Sequence, residues 1–129
     1  MRHLSIFISE ALTLNKQTKV MDKVDDPYDP QYFNVGDILC GTWGYSMTIP
    51  AFYKIIKKTN KTFILKELEE KLVSGHYNGS WESVASDKEK RGEKEVKARI
   101  NKNNHVYLKD KRLLLRLWDG KPIWGTDMD

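Results

Sequence analysis

The hydrophobic pattern changes period along the chain, from helical near the N-terminus to strand-like beyond residue 32. Five apolar residues near the N-terminus follow the i, i+3, i+4, i+7, i+8 spacing of one helix face: Leu4, Phe7, Ile8, Ala11 and Leu12. We therefore predict an amphipathic helix over residues 3–14, which makes residues 1–14 an N-terminal helical unit. Because so short a helix is marginal in isolation, we expect its apolar stripe to dock on the domain, on a second copy or on a partner.

Residues 15–31 lose this periodicity, and the steps Asp26-Pro27 and Asp29-Pro30 disfavour a regular helix. We predict an acidic, proline-containing linker there. The linker contains aspartates, but it lacks the glycine and the closing glutamate of a dedicated calcium loop. We therefore expect no metal site there. The domain that follows covers residues 32–129.

Runs of β-branched and aromatic residues in this domain predict strands. Residues 35–45 and 50–56 predict an opening hairpin around the glycine-flanked Trp43-Gly44-Tyr45 corner. The chain then turns at Asn60-Lys61 and returns through residues 62–68.

A two-residue turn at that point would set the register of the second hairpin. Lys54 would lie opposite Glu67 and Ile56 opposite Leu65, which gives a charge pair and an apolar pair on one sheet face.

Charged stretches then interrupt the strand pattern. We predict loops over residues 69–80 and 86–94, with one short strand over residues 81–85 between them. Alternation resumes in residues 95–100, where three apolar residues share one face: Val96, Ala98 and Ile100.

The most regular alternation lies in residues 112–118. Three leucines are predicted to face inward: Leu113, Leu115 and Leu117. Four residues are predicted to face outward: Arg112, Leu114, Arg116 and Trp118. With residues 106–108 there are about six strands, the ordinary size for a sheet that curls closed. The predicted fold class is therefore mainly β, a small curled sheet or SH3-like barrel with an N-terminal amphipathic helix.

The composition is that of one soluble domain. Charged residues make up 31% of the 129 residues and hydrophobic ones 40%, a balance that supports a single core. Glu10 interrupts the N-terminal apolar run and no cleavage site follows, so we expect that segment to stay on the chain. Cys40 is the single cysteine, which indicates a reducing, cytoplasmic location, and no apolar run is long enough for a membrane span.

Charge is distributed unevenly. Residues 87–121 hold twelve Lys/Arg and six Asp/Glu, whereas residues 1–30 hold four and five. Outward cations beside an aromatic side chain are what phosphate contact and base stacking require. The candidates are Lys97, Arg99, Arg112, Arg116 and Trp118. A solvated face of mixed charge is the plain alternative.

Aromatic residues near the opening hairpin form a second candidate site. Trp43, Tyr45 and Tyr53 lie beside glycines or strand ends. Such residues either pack the end of a barrel or line a groove in which a peptide, a base or a small ligand stacks.

Catalytic motifs are missing from the sequence. His3, His76 and His105 show no metal-binding spacing, and there is no phosphate loop or nucleophile elbow. We predict no enzyme activity, no cofactor and no metal. Only a spatial cluster of Cys40, His76 and an acid would support a small ligand-processing enzyme.

Five short strings form a further pattern: Gly36-Asp37-Ile38, Trp43-Gly44-Tyr45, Thr48, Phe52-Tyr53 and Trp118-Asp119-Gly120-Lys121-Pro122. Together they resemble the core of a group of small phage- and plasmid-borne proteins of unassigned function, over about residues 33–124. That group follows Trp-Gly-Tyr with Asp-Gln-Thr-Asn, whereas this chain has Ser-Met-Thr-Ile and keeps only Thr48. The resemblance implies a mobile-element context and includes Thr48 among the candidate binding residues.

These features predict a non-enzymatic accessory protein of a phage or mobile element, cytoplasmic in the bacterial host cell or associated with the virion. It would bind a protein or nucleic-acid partner through the aromatic corner and the basic strands, without membrane contact. A homo-oligomer through the N-terminal helix is one arrangement that fits. The alternatives are a virion structural or assembly component and a small ligand-processing enzyme.

Overall fold

The computed structural model describes residues 24–44 and 47–127. The predicted helix over residues 3–14, with its apolar stripe, and Tyr45 lie outside them. The described chain forms eight strands: β1 (Ile38–Trp43), β2 (Ile49–Lys58), β3 (Thr62–Gly75), β4 (Ser80–Glu89), β5 (Val96–Ile100), β6 (Val106–Leu108), β7 (Leu113–Leu117) and β8 (Ile123–Thr126). It also forms two single-turn 3₁₀ helices: Pro30–Tyr32 and Lys109–Lys111.

Six of these strands close into an antiparallel barrel. Their order is β2-β1-β7-β6-β5-β3, and the ring closes because β2 also pairs with β3. The predicted mainly-β fold with about six closing strands is confirmed. Of the remaining strands, β4 pairs with the far half of β3 and β8 pairs with β4, which forms a three-stranded arm beside the barrel.

Side chains that point inward at a period of two fill the barrel. Leu113, Leu115 and Leu117 are fully buried, as predicted. The inner cluster is completed by residues from every other barrel strand and from the segment before β1, chiefly Phe33, Leu39, Tyr53, Ile55, Phe63, Leu65, Ala98 and Val106. Full burial of one such large apolar side chain contributes roughly 1.5–3 kcal/mol, so this cluster is the main source of stability.

A second apolar cluster lies on the outer side of the barrel. Alternation turns Cys40 and Phe52 outward, and the two residues are directly paired across β1 and β2. Leu68, Trp118 and Ile123 pack with them. We refer to these five residues as the outer cluster. Trp118 and Ile123 lie in the part of the chain that follows β7.

The two predicted loops are too long, because β3 continues to Gly75 and β4 runs from Ser80 to Glu89, so that only residues 76–79 and 90–94 of them lie outside strands. Most residues beyond Leu68 in β3 are exposed, so the arm does not need the hydrophobic alternation that marks a half-buried strand. Bulges in the β3–β4 pairing disturb the period further. Backbone pairing on both sides of β4 therefore forms strands that the side-chain pattern does not reveal.

Both predicted pairs of the second hairpin are wrong by one residue: Ile55, not Ile56, lies opposite Leu65, and Lys54 does not lie opposite Glu67. A bulge at Ile56 adds one residue to β2. As a result Glu67 lies opposite Tyr53, and the predicted partner Lys54 lies opposite Lys66. Glu67 thereby faces the barrel interior with Tyr53.

Across the described residues, no helix combines the length and the apolar character needed to cross a membrane.

Candidate functional site

The outer surface of β5, β6 and β7 carries a row of three exposed side chains. Arg99 lies directly opposite Tyr107, and Tyr107 lies directly opposite Leu114. Directly opposed residues share one face and have Cβ atoms about 5 Å apart. Tyr107 is 36% exposed and Leu114 is 37% exposed. An aromatic ring therefore lies at the solvent surface between an arginine and a leucine.

Three further cations surround this row. Lys97 lies two residues before Arg99 on the same face of β5 and is exposed. Arg116 lies two residues after Leu114 on β7 and is half-buried. Arg112 is exposed and has a left-handed backbone, with φ 52°, just before β7. We refer to this set as the basic-aromatic face: Lys97, Arg99, Tyr107, Arg112, Leu114 and Arg116.

The structure thus brings together four of the residues predicted for nucleic-acid contact, but it excludes Trp118. Trp118 points away from the barrel interior as predicted, yet it is only 5% exposed and belongs to the outer cluster. Its ring meets Phe52 edge-on with centroids 5.3 Å apart, and its indole Nε1 donates to the Lys121 carbonyl at 2.9 Å. Alternation indicates the side to which a residue points, but it does not indicate what covers that side.

Tyr107 takes the place of Trp118 as the aromatic of this face. The sequence signal for it is weak, because Val106-Tyr107-Leu108 is a strand of three residues. The one available clue is that Tyr107 lies between two apolar residues, which alternation sends to the opposite face.

The predicted aromatic corner does not form one exposed patch. Tyr53 is buried inside the barrel. Thr48 is half-buried and forms a two-way backbone bridge with Thr126, with N···O distances of 2.9 and 2.8 Å. Trp43 is half-buried at the end of β1. Of the described corner residues, Trp43 and Tyr53 meet around the side chain of Lys111, which the sequence analysis did not single out.

A buried carboxylate holds this end of the barrel together. Glu67 is 7% exposed, and its Oε1 and Oε2 accept from Lys111 at 3.2 Å and Lys90 at 3.3 Å. The Lys111 ammonium also lies 5.1 Å from the centroid of the Trp43 ring and 5.9 Å from that of Tyr53. Burial, with smaller contributions from Glu67 and Glu93, raises the pKa of Tyr53 well above its ordinary value. The cluster could not be predicted from the sequence, because the predicted register of β2 and β3 was wrong by one residue at Glu67.

A cavity of about 250 Å³ adjoins the cluster. Trp43, Phe52, Glu67, Glu70 and Lys90 are among the residues that line it. The Glu70 carboxylate accepts from the Trp81 indole at 2.9 Å, so it is already engaged.

The residues suggested for enzyme chemistry lie in unlike environments. Cys40 is buried in the outer cluster, and this burial raises the pKa of its thiol to about 12. His76 is exposed in the loop between β3 and β4. His105 lies beside the Tyr28 ring, with centroids 5.8 Å apart. Within residues 24–44 and 47–127, no three His, Cys, Asp or Glu side chains are grouped so as to hold a metal ion.

Similarity to other proteins adds nothing to this description. Comparisons of the chain with protein-family models, curated proteins and solved structures returned no match.

Proposed function

We propose that this protein binds single-stranded nucleic acid on the basic-aromatic face, as an accessory protein of a phage or mobile element in the bacterial cytoplasm. The observation that carries the proposal is the row Arg99-Tyr107-Leu114, fixed by direct cross-strand pairing. Arginine and lysine neutralise backbone phosphates, and a tyrosine ring offers a surface on which a base of any identity can stack.

The rigidity of the barrel supports this proposal. Neighbouring strands lie about 4.8 Å apart, so the row from Arg99 to Leu114 spans roughly 10 Å. The strands hold its members at fixed spacing, which lowers the entropy lost when a ligand binds. In the described part of the chain this face is an exposed sheet surface, on which a base stacks without its edge being read. Binding is therefore expected to be independent of sequence.

The number of cations on the face sets the expected affinity for nucleic acid and its dependence on salt. Four residues carry the positive charge: Lys97, Arg99, Arg112 and Arg116. If each neutralises one phosphate, raising the salt from about 50 to about 200 mM lowers the affinity about 50-fold for a single strand. Asp110 lies in the 3₁₀ helix just before Arg112 and reduces the local field. We expect a Kd of about 1 μM or weaker at low salt.

Fluorescence anisotropy of a labelled oligothymidine at both salt concentrations tests the proposal. Arg99→Glu should abolish binding, and Tyr107→Ala should weaken it by about 1–3 kcal/mol through loss of stacking. Lys71→Glu is the matched control, because it makes the same charge change at an exposed position of the arm. Failure to bind at the lower salt, or an equal loss in the control, would refute the proposed function.

A further inference from the structure

The Lys111 ammonium lies in a cage of three side chains at one end of the barrel. It is 5.1 Å from the Trp43 ring centroid, 5.9 Å from the Tyr53 ring centroid and 3.2 Å from Glu67 Oε1. Both ring distances are within the range of about 6 Å over which a cation is attracted to an aromatic face. Two rings and a carboxylate together make a strong site for an organic cation.

The cage is built by different elements from its occupant. Trp43, Tyr53 and Glu67 belong to β1, β2 and β3, which pair with each other in the barrel wall. Tyr53 and Glu67 are directly opposed and buried, so their positions are fixed. The cage therefore does not depend on Lys111 for its shape.

Lys111 is held more loosely than the cage that surrounds it. Its side chain is 30% exposed, and the 3₁₀ helix Lys109–Lys111 has no buried residue and no side-chain hydrogen bond at its N-cap. The cavity of about 250 Å³ shares Trp43 and Glu67 with the cage, and Lys90 also lines it.

We propose that Trp43, Tyr53 and Glu67 form a binding site for a primary alkylammonium group, such as a lysine side chain of a partner protein. In the resting protein Lys111 fills this site as an internal ligand. The ion pair with Glu67 favours a cation that retains N–H donors over a quaternary one. The site is separate from the basic-aromatic face, and it stands whether or not nucleic acid binds there.

Lys90 provides the matched control. Its ammonium contacts the other oxygen of Glu67 at 3.3 Å, and neither aromatic ring of the cage has a cation contact with it among the described residues. Removing Lys90 therefore weakens the neutralisation of Glu67 but leaves the cage filled.

The test is thermal unfolding of Lys111→Ala in n-butylammonium chloride and in sodium chloride at equal ionic strength. We expect butylammonium to raise the Tm of this variant by about 3–6 °C at about ten times its Kd. Wild-type protein and Lys90→Ala should show no such rise, and tetramethylammonium should give a smaller one in Lys111→Ala. Adding Trp43→Leu to Lys111→Ala should remove the effect.

A rise of equal size in Lys90→Ala, or one that survives Trp43→Leu, would overturn the site, as would no selective rise at all. If Lys111→Ala is unfolded in sodium chloride, the measured quantity becomes the recovery of folded protein. Recovery in butylammonium alone supports the cage, and failure to recover contradicts it.

Discussion

Within residues 24–44 and 47–127, the outer surface of the barrel is covered on one side and exposed on the other. Over β1 and β2, Cys40 and Phe52 are buried beneath Trp118 and Ile123. Over β5, β6 and β7, the row that contains Tyr107 remains at the solvent surface. Both sides are produced by the same alternation along the strands. They differ only in whether another part of the described chain returns to cover them.

This difference separates residues that hold the fold together from residues that are available for binding. The chain after β7 passes over one side only, because β8 pairs with β4 in the arm next to β1 and β2. Tyr107 on the other side is 36% exposed and is therefore less buried than Cys40 and Phe52. The exposed part of Tyr107, opposite Arg99 on the neighbouring strand, is what the proposed nucleic-acid contact uses.

The largest effect should come from removing a side chain on the covered side. Phe52→Ala leaves a cavity beneath Trp118 and should lower the free energy of unfolding by about 3–5 kcal/mol. Urea denaturation followed by tryptophan fluorescence measures this loss. Tyr107→Ala should cost less, about 1–2 kcal/mol, because Tyr107 is 36% exposed and loses only its cross-strand contacts with Arg99 and Leu114. Similar losses in the two variants would remove the distinction between the two sides.

The second-largest effect is expected at alkaline pH, where ionisation of Cys40 on the covered side should lower the free energy of unfolding. Burial raises the pKa of Cys40 from 9.0 to about 12, so above pH 9 the unfolded chain releases a proton that the folded chain retains. The stabilisation is complete below pH 9 and is lost between pH 9 and 12, with a slope of at most about 1.4 kcal/mol per pH unit.

Cys40→Ala isolates this contribution. The variant should show a flatter stability profile between about pH 8 and pH 9.5, below the ordinary tyrosine pKa of 10.0 near which the raised pKa of Tyr53 begins to contribute. An unchanged slope in the variant would mean that the Cys40 thiol is not the group responsible.

Removing Tyr107 from the exposed side should reduce nucleic-acid binding while the protein stays folded. In Tyr107→Ala, the affinity for oligothymidine should fall by about 1–3 kcal/mol, and the urea midpoint should fall less than in Phe52→Ala. Tyr77→Ala is the aromatic control, because Tyr77 is also exposed but lies in the loop between β3 and β4. Equal losses of affinity in the two variants would show that stacking is not specific to this face.

The smallest effect concerns a polar atom in the arm that covers β1 and β2. The Ser83 hydroxyl is buried and has no hydrogen-bond partner in the described structure, and Ser83 is paired with Ile123 of the outer cluster. Ser83→Ala should be neutral or stabilising by up to about 1 kcal/mol, because it removes an unsatisfied group. A marked destabilisation would show that this hydroxyl has a partner after all.

Local periodicity was enough to predict the inward and outward sides of the strongest strands. Leu113, Leu115 and Leu117 follow it, and so do the cations Lys97 and Arg99. The burial of Trp118 depends on how a later segment of the chain folds over it. A local sequence pattern carries no information about that contact. The same holds for the arm, since its strands are specified by backbone pairing between distant segments.

The two candidate sites differ in the same way. The cations of the basic-aromatic face could be predicted because charge and alternation are local properties. The cage around Lys111 could not, because one bulge at Ile56 decides that Glu67 meets Tyr53. A bulge depends on the twist and closure of the whole sheet. Such a site can be found only once the strand register is known.

The pairing of β1 with β7 has a consequence for how the barrel is made. It joins Leu39 to Leu117, which lie near opposite ends of the described chain. Contacts between distant segments slow folding, and barrels dominated by them fold in milliseconds to seconds. During synthesis on the ribosome, the edge of β1 that pairs with β7 therefore stays unpaired until β7 has been synthesised. During that interval the exposed edge is open to pairing with other nascent chains.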